Sequence, residues 1–285
     1  LREEERIYIH NKVAAYYKEG YLNGKHIDIF DLDKPVIEII DKKKRIRHIQ
    51  INQQDKFVRR VFNNGRWDKG GRFYRGWWQH VPSDVRRHIL IDGNKTIEID
   101  YSGMSMRLLY ASEGVDLDLD TDVYNLGYDD WMGDKDPRRP IIKTYVNAVF
   151  NDENETYRVS PKDLKLLGVS NQQELKDKLY TAHDRVNLRD RITSGWGLES
   201  QYLDSEIALQ LMYQFAIHDD PLLPVHDSFI TKKGNELYLQ QLMLDTFERV
   251  AKGKTRVDVT TSIPNEGFRE KDSSKDYSKI YAGEE

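Results

Sequence analysis

Three patterns in the sequence predict a mixed α+β fold. Residues 96–100 (TIEID) alternate apolar and polar side chains, as a strand does, and residues 222–232 contain two more short apolar runs. Between these segments, apolar side chains recur every four residues from Leu203 to Phe215, as on one face of a helix. We therefore expect an α+β protein in which an antiparallel sheet is backed by helices.

The first half of the chain contains four recognisable segments. Residues 2–19 have an amphipathic pattern that predicts a helix ending at Gly20. The basic stretch 42–95 is broken by glycines, which indicates loops and short elements. A strand at 96–100 is followed directly by a helical pattern at 104–111. Residues 113–136 are acidic and rich in Gly and Asp, and they lack the glycine and glutamate of an EF-hand, so we interpret them as a solvated connection.

The second half alternates helices and strands. Residues 138–150 predict a helix with Pro140 in its first turn, where the missing N–H does no harm. After a polar region to about residue 195, the sequence predicts a helix at 200–217, strands at 222–226 and 229–232, a helix at 236–250 and a strand at 255–260. The residues after Pro264 are polar, which is typical of a loosely ordered tail.

Composition excludes several classes of protein. The 285 residues are 38% hydrophobic and 32% charged, and no apolar stretch reaches the roughly 18 residues of a membrane span. No signal peptide is recognisable, so we expect a cytoplasmic protein that has no membrane partner. The absence of cysteine excludes disulfides and thiolate metal sites.

Charge is distributed unevenly along the chain. The net charge is −4, yet residues 42–87 contain 14 Lys/Arg against three acids, a local +11. Five aromatic residues lie in the same stretch: Trp67, Phe73, Tyr74, Trp77 and Trp78. Cations that meet phosphates and rings that stack on bases favour a nucleic-acid partner, with a solvated charged face as the alternative.

Two aspartates, 127 positions apart, stand within apolar runs. Asp100 ends TIEID, and Asp227 lies inside LLPVHDSFI. A carboxylate in such a run is costly to bury unless it binds a cation or a hydrogen-bond donor. Two of them, brought together by the fold, could hold a pair of metal ions about 3.5–4 Å apart for in-line phosphoryl transfer.

Three segments resemble motifs of family A DNA polymerases. The segment GRFYRGWWQHVPSDVRRHILIDGNKTIEIDYSGMSMRLLYA (71–111) resembles their palm entry and motif A, RRPIIKTYVNAVF (138–150) their fingers helix, and LPVHDSFI (223–230) their motif C. The HDSF form of motif C is also similar to that of single-subunit phage-type RNA polymerases. The resemblance implies a right-hand polymerase palm with helical fingers and a thumb that is reduced or absent.

The resemblance also implies roles for individual residues. Asp100 and Asp227 would be the catalytic metal-binding carboxylates, joined by the backbone carbonyl of Tyr101, and would hold two Mg2+ ions, with Mn2+ as a plausible substitute. Arg139 and Lys143, four apart on one helical face, would meet the triphosphate of a nucleoside triphosphate.

A second group of residues would contact a nucleic-acid primer–template. Arg72 would meet the duplex minor groove, and His226 would lie near the primer end. The remaining residues that the resemblance places near nucleic acid are Gln79, His80 and Gln201.

The chain departs from the family at the positions that select the sugar. The position five after Asp100, usually glutamate in these DNA polymerases, is Ser105, and the aromatic position four after Lys143 is Asn147. A small side chain leaves room for a ribose 2′-hydroxyl. An RNA polymerase or primase that uses ribonucleotides therefore remains an alternative to a DNA polymerase.

The implied domain organisation has five parts. It consists of an N-terminal helical region that could be a reduced thumb (1–60), a first palm segment (61–112), fingers (113–195), a second palm segment with motif C (196–262) and a polar tail (263–285). Without a full thumb, we expect that an accessory protein or a further domain supplies the grip on nucleic acid, in a bacterial or phage-type context.

Two other classes of function remain open at this level. One is a non-catalytic nucleic-acid-binding module with the palm shape. The other is a metal-dependent phosphohydrolase, for which His183-Asp184 and His218-Asp219 are the candidate ligand pairs.

Overall fold

The structure is a computed structural model. It describes residues 20–22, 25–27, 36–40, 46–50, 55, 57–87, 89–92, 94–152, 156–252 and 255–261, with the backbone alone up to residue 50. The helix expected at 2–19 and the polar tail expected at 263–285 lie outside the described residues.

An antiparallel sheet organises the described part of the chain. It contains β1 (Gly20–Leu22), β2 (Lys25–Ile27), β7 (Leu90–Ile91), β8 (Asn94–Tyr101), β9 (Leu223–Val225), β10 (Ser228–Lys232) and β11 (Val259–Thr261). The order is β2-β1-β7-β8-β10-β9, and β11 also pairs with β8. The long strand β8 therefore lies at the centre, bonded to three neighbours.

Two further antiparallel pairs stand apart from this sheet. They are β3 (Val36–Ile40) with β4 (Ile46–Gln50), and β5 (Arg59–Phe62) with β6 (Gly70–Tyr74). The β-branched run VIEII at β3 favours a strand. The described parts of residues 20–50 are thus strands, whereas the sequence pattern led us to expect a helical region over 1–60.

Eight α-helices occur in the described residues. They are α1 (Ser83–Arg86), α2 (Met104–Ser112), α3 (Arg139–Asn151), α4 (Pro161–Leu166), α5 (Gln172–Ala182), α6 (Leu188–Thr193), α7 (Trp196–Ile217) and α8 (Glu236–Val250). Short 3-10 helices span Trp77–His80 and Gly133–Lys135.

One face of the central sheet packs on α8. Side chains alternate along β8, so Ile99 and Tyr101 point to one face and Glu98 and Asp100 to the other. The Tyr101 hydroxyl donates to the Met243 carbonyl of α8 over 2.6 Å. This packing fixes Asp100 on the face that points away from α8.

The β5–β6 hairpin is fixed to α7 by three ion pairs, Lys69–Glu199 (2.6 Å), Arg72–Asp204 (2.6 Å) and Arg60–Glu206 (2.7 Å). Much of the basic charge predicted to face nucleic acid therefore meets acids of the same chain.

The expectation that all five aromatic residues of this region are free to stack on bases was wrong for three of them. Phe73, Trp77 and Trp78 are buried in the core, while Trp67 is 61% exposed and Tyr74 is also exposed.

The structure confirms the predicted α+β class, an antiparallel sheet backed by helices. The helix at 236–250, the turn about Asp227 and the strand that ends at Asp100 agree with the sequence patterns. The polar region before residue 195 differs, because it contains the helices α4, α5 and α6. Among the described residues, no helix is long and apolar enough to cross a membrane.

Candidate active site

The pairing of β8 with β10 brings Asp100 and Asp227 next to each other. Ser228 is the partner of Asp100 across the two strands, and Asp227 immediately precedes it. The Tyr101 amide donates to the Asp227 carbonyl over 3.2 Å. The two aspartates, 127 positions apart in sequence, therefore lie at one end of a single strand pair.

Asp100 occupies a strongly perturbed environment. Burial, followed by the charge of Asp227, raises the pKa of Asp100 to about 7, while the Lys143 ammonium acts in the opposite direction. The Oδ1 atom of Asp100 is buried, and among the described residues it has no hydrogen-bond partner. A bound cation would offset the repulsion between the Asp100 and Asp227 carboxylates and would give the buried Oδ1 atom a partner.

Asp227 lies in a two-residue turn between β9 and β10. Val225 pairs with Ser228, which leaves His226 and Asp227 as the central residues. His226 has φ +58, a left-handed conformation that costs a non-glycine residue about 1–2 kcal/mol. Strain of this kind persists where the surrounding structure fixes it, often at functional sites.

A buried carboxylate supports this turn from the neighbouring position on β8. Glu98 accepts a hydrogen bond from the Ser228 hydroxyl (2.7 Å) and forms an ion pair with Arg86 (2.7 Å). The serine in the position after Asp227 thus has a structural partner. Unlike Asp100, Glu98 has its charge compensated by an adjacent guanidinium.

Helix α3 brings two of the predicted nucleotide-binding cations to the same region. Lys143 lies close enough to Asp100 to influence the pKa of that carboxyl, and its ammonium forms no ion pair with another described residue. Arg139 instead pairs with Asp122 (3.0 Å) and Asp134 (3.2 Å). Asn147, one turn after Lys143, is exposed.

The acidic connection 113–136 is part of this site, which the sequence interpretation missed. Tyr124 is buried with its ring 5.0 Å from the Arg139 guanidinium. Burial raises the pKa of the Tyr124 phenol, Arg139 opposes the rise, and Asp227, Asp122 and Asp100 add to it. The apolar residues Val123, Tyr124 and Leu126 within an otherwise acidic stretch were the available signal.

Arg107 of α2 holds the connection in place. This buried guanidinium donates to the carbonyls of Asp118 (3.3 Å), Leu119 (2.9 Å) and Thr121 (2.8 Å), and also to that of Arg256 (2.7 Å). The backbone of the acidic stretch is therefore anchored to α2, while the side chains of Asp118, Leu119 and Thr121 are exposed, as expected of a solvated connection.

The other predicted residues take varied positions. Ser105 is partly buried in the first turn of α2, and His80 is exposed. Gln79 donates to the carbonyls of Phe73 (2.9 Å) and Pro224 (3.0 Å), so its amide nitrogen is engaged within the fold.

Gln201 connects two helices. It donates to the Asn151 side chain over 3.0 Å, which links the start of α7 to the end of α3. Arg72 and His226 both lie close enough to Asp227 for its charge to influence their pKa values, and they line one gap together with Asp204 of α7.

Among the described residues, no group of three or more His, Asp or Glu side chains is arranged to hold a metal ion. The pair His183-Asp184, considered for a phosphohydrolase, is excluded as a ligand pair. His183 is buried, with one ring nitrogen 2.9 Å from the Tyr110 hydroxyl and the other 3.1 Å from the Val123 carbonyl. Its two ring nitrogens therefore have protein partners.

Two clefts lie elsewhere in the described part of the chain. One, of about 260 Å³, lies between the start of α2 and the connection and is lined by Asp120, Asp122, Asp134 and Asp258 among others. The second, of about 220 Å³, lies behind α3 against α5 and α6. Neither includes Asp100 or Asp227, so the geometry of the site is defined by the strand pair and α3.

Comparison with known proteins gives limited information. No protein-family model and no curated protein matches the sequence. Among solved structures, the chain is similar to the POL domain of Pol1 from M. smegmatis, solved with a DNA primer–template and dNTP, with 14% identity and a TM-score of 0.42. The match covers 90% of this chain and 50% of that structure, so the chain spans half its length. Function is therefore inferred from the residues of the site.

Proposed function

We propose that this protein is a template-directed nucleotidyltransferase. The observation that supports this most directly is the position of Asp100 beside Asp227 at one end of the β8–β10 pair, with Lys143 of α3 close to Asp100. Two carboxylates and a facing cation match the needs of phosphoryl transfer, in which charge on the reacting phosphate must be compensated. The division into palm, fingers and reduced thumb is part of the same proposal.

The donor set at this position fits Mg2+, or Mn2+ in its place. Mg2+ prefers oxygen ligands, and Asp100, Asp227 and the Tyr101 carbonyl are all oxygen donors on adjacent backbone positions. The buried Asp100 Oδ1, which lacks a partner among the described residues, is the atom that most needs a cation. When bound, two such ions would compensate charge on the attacking and leaving oxygens.

The chain's own residues would position the substrates. The 3′-hydroxyl of the growing strand attacks the α-phosphate, its proton leaves to solvent, and the bond to pyrophosphate breaks. Lys143 and Arg139, on one face of α3, would hold the triphosphate and orient it for in-line attack. Arg72 and His226 would hold the strand end beside Asp227.

A primer-extension assay tests the proposal. Purified protein with Mg2+, a primed template and either dNTPs or NTPs should extend the primer, and Asp227→Asn should reduce the rate by about 10³-fold or more. Asp245→Asn is the matched control, because Asp245 is an exposed aspartate on α8 whose side chain accepts from Gln241. Lack of incorporation on every template, or equal rates for the two variants, would contradict the proposal.

Sugar preference separates the DNA and RNA polymerase versions of the proposal. Ser105 is small and partly buried at the start of α2, five residues after Asp100. Ser105→Glu should lower incorporation of ribonucleotides more than that of deoxyribonucleotides, by about tenfold or more, because a larger side chain would meet the 2′-hydroxyl. Synthesis that begins without a primer would favour a primase.

The alternative of a non-catalytic nucleic-acid-binding module gives different results. Such a protein would bind DNA in a salt-dependent manner without turnover, and Asp227→Asn would leave or strengthen binding, since it removes a negative charge. The exposed Trp67 and Tyr74 of the β5–β6 hairpin would serve either function.

A further inference from the structure

One of the three ion pairs between the β5–β6 hairpin and α7 differs from the other two. The Asp204 side chain is 4% exposed, whereas Glu199 and Glu206 are 33% and 23% exposed. Asp204 also lies near the carboxylate pair. Burial raises the pKa of Asp204 to about 6, Arg72 opposes this rise and Asp227 adds to it.

The hydrogen bond between Arg72 and Asp204 leaves part of the guanidinium available. The Nε of Arg72 donates to Asp204 Oδ2 over 2.6 Å, and neither terminal nitrogen has a hydrogen-bond partner among the described residues. A guanidinium held at Nε presents its two terminal nitrogens as an oriented fork. Because Arg72 also lies near Asp227 and His226, this fork lies beside the proposed reaction site.

The space around this pair contains unsatisfied groups. Arg72, Asp204 and His226 line a gap that is too small for a water molecule. Asp204 Oδ1 and His226 Nδ1 are buried and, among the described residues, have no hydrogen-bond partner. A buried ion pair with unsatisfied atoms contributes little net stability, and well-packed apolar residues would often do as well. Stability alone therefore gives no physical reason for an acid at position 204.

We propose that Asp204 is a positioning residue that holds Arg72 so that its terminal nitrogens bind the strand whose 3′ end is extended. The inference rests on the proposed function and adds a residue to it. The ligand class is the acceptor set of a nucleic-acid strand end, namely phosphate oxygens and base or sugar acceptors. Asp204 is too deeply buried to contact that strand and acts through Arg72.

The chain offers a matched control. Glu206 lies on the same helix as Asp204 and pairs with Arg60 of the same hairpin over 2.7 Å. Asp204→Asn and Glu206→Gln each remove one charge from one hairpin–helix ion pair, and each keeps the shape of the side chain. Each variant therefore removes one tie between the hairpin and α7, whereas the first alone should disturb Arg72.

The experiment measures steady-state primer extension and the Kd of a fluorescent primer–template without nucleotide. We expect Asp204→Asn to raise the Kd for primer–template by about tenfold and to lower kcat by a similar factor or more, with the KM for the nucleotide little changed. Glu206→Gln should stay within about twofold of the wild type in all three quantities. Equal effects of the two variants would overturn the proposal.

A double-mutant cycle tests whether Asp204 acts through Arg72. If it does, adding Asp204→Asn to Arg72→Ala should cause little further loss, whereas independent roles would give additive losses. Arg72→Lys, which keeps the charge but removes the fork, should reproduce the effect of Asp204→Asn even if the latter variant folds poorly. Additive losses, or a fully active Arg72→Lys, would contradict the inference.

The same assays separate this inference from the proposed function. A wild-type protein that incorporates no nucleotide contradicts the polymerase proposal. An active wild-type protein in which Asp204→Asn behaves like Glu206→Gln contradicts only the role of Asp204.

Discussion

Replacing Asp100 with asparagine tests the electrostatic description of the carboxylate pair. Burial and Asp227 raise the pKa of Asp100 from 3.8 to about 7, so between these values the folded protein keeps a proton that the unfolded chain has lost. The stability contributed by this proton is complete below about pH 4 and is lost as the pH rises to about 7. Above pH 7 the wild-type protein, without metal, folds with an unfavourable charge at this position.

The size of the effect follows from the pKa shift. A shift of about three units corresponds to about 4 kcal/mol at pH 8 as an upper value. Rearrangement of nearby charges and the hydrogen-bonding needs of the new amide reduce this, and we expect Asp100→Asn to stabilise the metal-free protein by about 2 kcal/mol. That corresponds to a rise in Tm of roughly 4 °C for a domain of this size.

Thermal unfolding in EDTA at pH 5 and pH 8 measures this difference. The variant should exceed the wild type in Tm at pH 8 and lose most of that advantage at pH 5, where wild-type Asp100 is protonated. Added Mg2+ should raise the Tm of the wild type at pH 8 by more than that of the variant, because a ligand that binds only the folded state stabilises it. A variant less stable than the wild type at pH 8 in EDTA would refute the reasoning, and Asp245→Asn controls for loss of a charge elsewhere.

Three further substitutions test the framework around the site. Arg107→Met should destabilise the protein by about 3–5 kcal/mol in urea unfolding, because it removes all four hydrogen bonds that one buried guanidinium donates to backbone carbonyls. A change below about 1 kcal/mol would contradict that role. Burial lowers the pKa of His183 to about 4, so the wild type should lose stability as the pH falls from about 6.5 to 4. In His183→Gln this contribution to the dependence of unfolding free energy on pH, measured between pH 7 and 4.5, should disappear. An unchanged pH dependence would contradict the prediction. Gly197→Ala would place a methyl group against the Phe150 carbonyl oxygen, so it should separate α3 from α7 and lower both Tm and primer extension. The control Ala208→Gly, on the same helix, should lower Tm by a smaller amount. Unchanged activity of Gly197→Ala would contradict the close contact.

The carboxylate pair could be predicted from the sequence because its signals are local. Asp100 ends a run with strand alternation, and Asp227 interrupts two apolar runs short enough to form a hairpin. The structure then adds the register that makes Ser228 the partner of Asp100, which no local pattern specifies. The metal, nucleotide and nucleic-acid roles of these residues stay predictions.

The environment of the basic region could not be predicted, because it depends on contacts between distant segments. Arg60, Lys69 and Arg72 look like a phosphate-binding surface in sequence, but their partners lie about 130–146 positions later on α7. Trp77 and Trp78 pack into the core for the same reason. The anchoring of the acidic connection also depends on a contact that no local pattern specifies, since its carbonyls accept from a single arginine of α2.

The two aspartates that hold Arg139 have a consequence for the proposed substrate. An incoming triphosphate that binds this guanidinium competes with Asp122 and Asp134, so binding exchanges one anion for another. Asp134 is 79% exposed and can return to water at little cost, whereas Asp122 also accepts from Trp131 and is more firmly placed. If Arg139 holds the triphosphate as proposed, substrate affinity would be a difference between two sets of ionic contacts, and neutralising Asp134 would shift that difference towards the substrate.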